Sequence, residues 1–161
     1  MTRIYKDNDI VVDIGSGKGR VINYLLHNFP RLQIYGIELD PECASELAGR
    51  LRKHVNVKIL CGDACDLIPA EASVLYLFNP FNRSVMARFK ESIKSIATKN
   101  RACESIRILY YNPTWADVFS TVSHFIVEKI KLPSNFHQAV LIKILCGSGA
   151  VDRDPSQNAC A

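Results

Sequence analysis

Three glycines at alternate positions, Gly15, Gly17 and Gly19, follow the apolar run Val11-Val12-Asp13-Ile14. That spacing lets a chain turn sharply out of a buried strand and approach a ligand with no side chain in between. A nucleotide-type ligand is implied, and its kind is narrowed by elimination. The dinucleotide fingerprint needs a third glycine where Arg20 stands. A phosphate-cradling loop needs a glycine five residues before the Gly17-Lys18 pair, where Val12 stands, and a Ser or Thr after Lys18, where Gly19 stands. What is left is an acid followed by Gly-x-Gly-x-Gly, running from Asp13 through Ser16 to Gly19. Lys18 opposes the dipole of a helix starting here, so it either pairs with a ligand carboxylate or points to solvent. The bare alternative is a tight strand-to-helix turn, with Asp13 holding loop amides rather than a ligand.

Further polar groups recur at the ends of apolar runs. Glu38 stands 19 residues past Gly19, Asp63 lies in Gly62-Asp63-Ala64, and Asn79-Pro80-Phe81-Asn82 closes the run Val74–Phe78. Each has a structural alternative: a helix-entry residue at Glu38, a turn acid at Asp63, a pocket-shaping turn at Asn79. As chemistry, the Asn79 side-chain oxygen and the Pro80 backbone oxygen suit an amine nucleophile, accepting its hydrogens while its lone pair stays aimed. Proline fixes the turn and brings no competing N–H, and Phe81 offers a wall or stacking surface. Tyr110, Tyr111 and Asn112 end the next strand, where they are either core or lining of the same pocket. His124 and His137 read as ordinary strand residues.

With its signals at four successive strand ends, the chain resembles the class I S-adenosylmethionine-dependent methyltransferases. The resemblance runs from Ile10 to Leu145. It implies a cofactor site of Asp13, Gly15, Ser16, Gly17, Gly19, Glu38, Leu39, Asp63, Ala64 and Asn79. Glu38 would accept the ribose hydroxyls, each such hydrogen bond contributing roughly 1.5–3 kcal/mol. Asp63 would meet the adenine amino group, and Asn79, Pro80 and Phe81 would form the catalytic edge. The Asn79 segment also resembles the Asn-Pro-Pro-aromatic motif of amino-group methyltransferases. It departs from that motif at Phe81 and Asn82, which weighs against a nucleobase acceptor.

The elements that hold these groups alternate apolar runs with helical periodicity, the pattern of a parallel sheet wrapped by helices. Strands are expected at 10–14, 32–37, 55–60, 74–78 and 106–111. Helices follow, with Val21, Ile22, Leu25, Leu26 and Phe29 on one face, then Ala44, Leu47, Ala48 and Leu51 behind an Asp40 cap and Pro41. Val85, Met86, Phe89, Ile93 and Ile96 mark the next. Asn112-Pro113 reads as another cap-plus-proline start, with Trp115, Val118, Phe119 and Val122 inward. Strands at 124–131 and 136–145 are joined too tightly for a crossover helix and must be antiparallel. The expected fold is therefore α/β: a Rossmann-like, seven-stranded, mostly parallel sheet with helices on both faces and a C-terminal antiparallel hairpin. Residues 1–146 would form the cofactor-binding domain and 147–161 a flexible tail.

Bulk properties set the remaining bounds. At 161 residues, 48% hydrophobic and 22% charged, the chain has the length and composition of one globular domain. No run approaches the ~20 apolar residues that span a bilayer, and the start lacks a signal-peptide core, so a cytoplasmic protein is expected. The net charge of +4 is mild, and the cations from Arg83 to Arg101 read as a solvated helix face or a docking surface for an acidic partner. The six cysteines form no metal-ligand pattern and read as reduced, mostly core residues, with no metal implied. Only nine residues precede Ile10, fewer than the lid helix of such methyltransferases requires, so a partner chain supplying the lid is one expectation. An amine on a protein or small molecule is the favoured acceptor. A nucleic-acid acceptor and a non-catalytic cofactor-binding scaffold are the alternatives.

Overall fold

A computed structural model describes residues 5–120, 124–132 and 138–147. The expected tail beyond Gly147, the inward Val122 and His137 lie outside these. Five strand–helix units come first: β1 (Ile10–Ile14) and α1 (Arg20–Asn28), β2 (Gln33–Glu38) and α2 (Pro41–Leu51), β3 (Val57–Cys61) and α3 (Ala64–Leu67), β4 (Val74–Phe78) and α4 (Arg83–Lys99), β5 (Ser105–Tyr111) and α5 (Asp117–Ser120). The pair β6 (Phe125–Ile130) and β7 (Ala139–Leu145) follows. One sheet takes the order β3-β2-β1-β4-β5-β7-β6. It is parallel from β3 to β5, and β7 inserts antiparallel between β5 and β6. The chain leaves β1 toward β3 on one side and returns to β4 on the other. Between β1 and β4 the winding therefore reverses, and the carboxyl ends of the strands open a crevice there.

Local chemistry explains the elements. Val11, Val12 and Ile14 are fully or nearly fully buried because β1 has sheet neighbours on both sides and packing on both faces. Asp40 caps α2 by accepting from the Cys43 N–H at 2.7 Å, with Pro41 in the first turn. Asn82 caps α4 by accepting from Val85 N–H at 3.0 Å. Met86, Phe89, Ile93 and Ala97 then turn one stripe of α4 into the core.

Two apolar layers result. α1 and α2 pack Ile22, Leu25, Leu47 and Leu51 onto Val11, Ile34 and Val74. On the opposite face α3, α4 and α5 cover Val12, Ile14, Leu75, Leu77, Ile106, Ile108 and Ile142. The first layer is incomplete. Strand register puts Tyr76, Phe78, Leu109, Tyr111 and Leu141 on the same face as Val11 and Val74. None of the five belongs to the buried core, and Phe78 is 58% exposed. No described helix covers that half of the sheet. No described helix is long and apolar enough to cross a membrane.

Several expectations need correction. Asn112-Pro113 does not start a helix: Asn112 has φ 51°, while a capping residue needs an extended backbone, and α5 begins only at Asp117. The Asn112 N–H instead donates to Gln138 O at 2.8 Å, tying the end of β5 to the start of β7. Strands β2 and β3 each start and end one or two residues later than expected, which places Glu38 inside β2. Ala48 is exposed rather than part of the α2 stripe. Of the described cysteines only Cys65 is buried, so they are not mostly core residues.

Candidate functional site

The glycine loop joins β1 to α1 in a conformation that side chains resist. Gly15, Gly17 and Gly19 have φ of 72°, 49° and 74°. A Cβ at Gly15 would sit 3.3 Å from Pro80 Cβ, and one at Gly19 would strike Leu47 Cδ1. Four of the loop amides are spent internally. Gly15 and Ser16 N–H donate to Ile37 O at 2.9 and 3.1 Å, and Gly19 N–H donates to Ser16 O at 2.8 Å. Gly17 N–H donates to Glu38 Oε2 at 2.7 Å. With four amides already paired the loop is poorly suited to cradle a phosphate, in agreement with the elimination on sequence grounds.

Glu38 links two elements through one carboxylate, because its Oε1 also accepts from Asp40 N–H at 3.0 Å. Each oxygen can accept a further bond, and the residue lines the crevice. Asp13 lies beneath the loop and is 3% exposed. Burial first, and the charge of Glu38 second, push its carboxyl up to about 7. Ser16 Oγ is buried without a hydrogen-bond partner and lies where a Cβ on Gly36 would come within 3.0 Å of it. Lys18 is exposed, and its backbone oxygen accepts from Arg50 Nη2 at 2.6 Å.

Across the crevice, Asp63 caps the short α3, its Oδ1 accepting from Cys65 N–H at 2.8 Å. Its Oδ2 pairs with Arg88 of α4. The Cys65 N–H chiefly, with help from Arg88 and against the opposing effect of burial, holds this carboxyl below its usual range. At the end of β4, Asn79 takes φ 47° and its Oδ1 accepts from the Tyr110 O–H at 3.2 Å. The Trp115 N–H donates to the same Tyr110 oxygen at 3.3 Å, so the turn after β5 braces the turn after β4. Phe81 packs on Phe89 with ring centroids 5.1 Å apart.

These groups surround a cavity of about 420 Å³ at the carboxyl ends of the strands. Gly15, Glu38, Leu39, Asp63, Ala64, Pro80 and Phe81 line it, as expected from the sequence. Asp13, Ser16, Gly17, Gly19 and Asn79 do not; they lie beneath, within or beside the loop. Ile37, Gly62, Asn82, Val85 and Arg88 line it too and were not among the site residues expected from the sequence. Gly62 and Asn82 already stand in the quoted motifs, beside Asp63 and Phe81. Val85 and Arg88 carry no motif; only the packing of α4 brings them in. The volume lies in the range of small-molecule sites, roughly 300–1,000 Å³.

A second cavity, of about 450 Å³, opens at the amino edge of the sheet. There Asp9 accepts from Ser73 Oγ and pairs with Arg107, closing a buried polar cluster with no glycine loop nearby. That arrangement braces the sheet. No group of three or more His, Cys, Asp or Glu able to hold a metal occurs among the described residues.

A family profile described as a methyltransferase domain matches residues 11–99. No curated protein sequence matches the chain. Among solved structures, the chain is similar to a mutant of MtNAS in complex with S-adenosylmethionine, with 19% identity, TM-score 0.62 and coverage of 86% of this chain and 55% of that one. It is similar to the mitomycin 7-O-methyltransferase MmcR, with 20% identity, TM-score 0.66 and coverage of 84% and 49%. It is also similar to an RNA methyltransferase from Salinibacter ruber in complex with S-adenosyl-L-homocysteine, with 17% identity, TM-score 0.55 and coverage of 87% and 82%. The chain spans about half the length of the first two.

Proposed function

Because the chain belongs to the methyltransferase-domain family, we propose that it binds S-adenosylmethionine in the crevice between the glycine loop and Phe81 and transfers its methyl group to an amine nitrogen. The observation that carries this reading is one cavity of about 420 Å³ bringing together four strand ends: Gly15, Glu38, Asp63 with Ala64, and Pro80 with Phe81. Glu38 would accept the ribose hydroxyls while keeping Gly17 in place. Asp63, held ionised, would accept from the adenine amino group. Gly15, lacking a Cβ, lets the cofactor approach Pro80.

S-adenosylmethionine supplies a methyl group already activated on sulfur, so the protein's task is alignment, which can contribute an effective molarity of roughly 10⁵–10⁸ M. Asn79 and Pro80 would orient the acceptor by taking its N–H hydrogens. One lone pair of Asn79 Oδ1 is already committed to Tyr110, and that bond holds the carboxamide in one orientation. An acceptor on a protein or small molecule fits better than a nucleic acid. Two cations of α4 on that side of the site are neutralised, Arg83 by Asp117 and Arg88 by Asp63.

Calorimetric titration of the purified chain with S-adenosylmethionine and with NAD tests the proposal. Micromolar binding of the first and none of the second is the expected result. Binding of NAD alone, or of neither, would overturn it.

A further inference from the structure

Cys103 and Cys146 stand 43 residues apart in sequence, yet their Sγ atoms lie 3.5 Å from each other. The pairing of β5 with β7 brings them together. Ser105 faces Leu145 at the last rung of that ladder, and one step further the Cys146 N–H donates to Glu104 O at 2.8 Å. Both cysteines therefore sit just past the strands, at the end of β5 opposite the crevice. Gly147 N–H donates to Ala97 O at 3.0 Å, which ties the end of α4 to the same corner. Cys103 is half-buried and lines the cavity of about 450 Å³ that opens at this edge. A disulfide needs its sulfurs at ~2.05 Å, so closing the gap asks for a shift of under about 1 Å from each.

Packing alone does not call for sulfur here, since both residues lie at the margin of the core, where other small apolar side chains would serve. Two thiols in contact, one of them on an open cavity, have the arrangement that thiol–disulfide exchange uses. Burial chiefly, and then the neighbouring Cys103, push the Cys146 thiol up to about 12. Cys103 is therefore the sulfur that reacts first, and once it is capped its thiol no longer holds back Cys146. We propose that Cys103 and Cys146 form a reversible disulfide, made by exchange with a small-molecule disulfide such as oxidised glutathione, which latches the end of β7 to the start of β5. In the first step Cys103 gives up its proton and its sulfur attacks one sulfur of the glutathione disulfide. That bond breaks, and one glutathione leaves with the electron pair and takes up a proton. In the second, the Cys146 sulfur attacks the Cys103 sulfur, and the other glutathione leaves in the same way. Two protein thiols are oxidised and one glutathione disulfide is reduced to two thiols. The seven residues of β5, roughly 23 Å, separate the latch from the crevice. The latch thus acts on stability, and it stands apart from the methyl-transfer reading.

To test this, the wild-type chain is equilibrated in glutathione buffers of increasing oxidised-to-reduced ratio, quenched with acid, alkylated under denaturing conditions and digested with trypsin. Mass spectrometry should find residues 102–107 joined to residues 144–153, each peptide carrying one cysteine, and dithiothreitol should release them. The linked chain should melt roughly 5–15 °C above the reduced one, because the bond closes a long loop in the unfolded chain. Cys103→Ser and Cys146→Ser should each lose both the linked peptide and the rise in midpoint. Cys61→Ser, at an exposed cysteine away from this corner, should keep both. Absence of the linked peptide at every ratio, glutathione left on Cys103 without closure, or an unchanged midpoint in the linked chain would overturn the latch. Each of these is read on the wild-type chain, so the result does not depend on how well the variants fold.

Discussion

Replacing Asp13 with asparagine should make the protein more stable, and increasingly so as the pH rises. The carboxyl lies beneath the glycine loop, 3% exposed, with its pKa raised from 3.8 to about 7 by burial and by Glu38. The folded-state value lies above the unfolded one, so folding favours the protonated acid. The stability this confers is fully present below pH 3.8 and is lost as pH rises through about 7. At 1.36 kcal/mol per unit, the whole shift corresponds to about 4 kcal/mol. Roughly half of that, about 2 kcal/mol, falls between about pH 5.5 and about pH 8.5. Asparagine keeps the shape and removes the titration. Urea unfolding of both proteins at the two pH values gives the difference directly. The stability advantage of Asp13→Asn should grow by about 2 kcal/mol from the lower pH to the higher. A constant difference would refute the reasoning, since it would mean that Asp13 titrates alike in the folded and unfolded chains. Cofactor affinity in the same samples separates the two roles open to this residue. Unchanged affinity assigns Asp13 to the loop, whereas a tenfold loss assigns it to the ligand.

Glu38→Ala should weaken S-adenosylmethionine binding at least tenfold by calorimetry, because it removes the diol acceptor and frees the Gly17 amide; unchanged affinity would remove Glu38 from the site. Gly19→Ala places a methyl group against Leu47 Cδ1 at φ 74° and should cost about 2 kcal/mol or more in urea unfolding, a loss that an unaltered midpoint would contradict. Asn79→Ala should abolish transfer to an acceptor found by screening while leaving cofactor affinity nearly intact, and surviving activity would make Asn79 a structural residue only.

Much of the fold was legible because its signals are local. A strand buried on both faces reads as a continuous apolar run, as in Val11-Val12-Asp13-Ile14, and α2 announces itself through Asp40 and Pro41. The tight connection after β6 required an antiparallel partner, and the register of β6 on β7 agrees. Where the same local code misled, tertiary contacts had won. Asn112-Pro113 has the composition of a helix start, yet the Asn112 N–H is claimed by Gln138, just before the distant strand β7, and the backbone turns left-handed. Val55 has the character of a strand residue but lies wholly in solvent, because β3 pairs with β2 only from Val57.

By itself the sequence determined which residues stand at the carboxyl ends of the strands, since chain direction and strand length settle that without any long-range contact. It therefore named Gly15, Glu38, Asp63, Pro80 and Phe81 before they were seen to share a cavity. Tertiary structure alone decided what faces them. Arg88 reaches Asp63 across 25 residues because α4 packs over α3. Tyr110 holds Asn79 because β5 lies beside β4. Phe78 is left 58% exposed at the end of a central strand because the described helices cover only half of that side. Periodicity records that a side chain turns inward or outward, but whether anything meets it depends on elements far away in the chain.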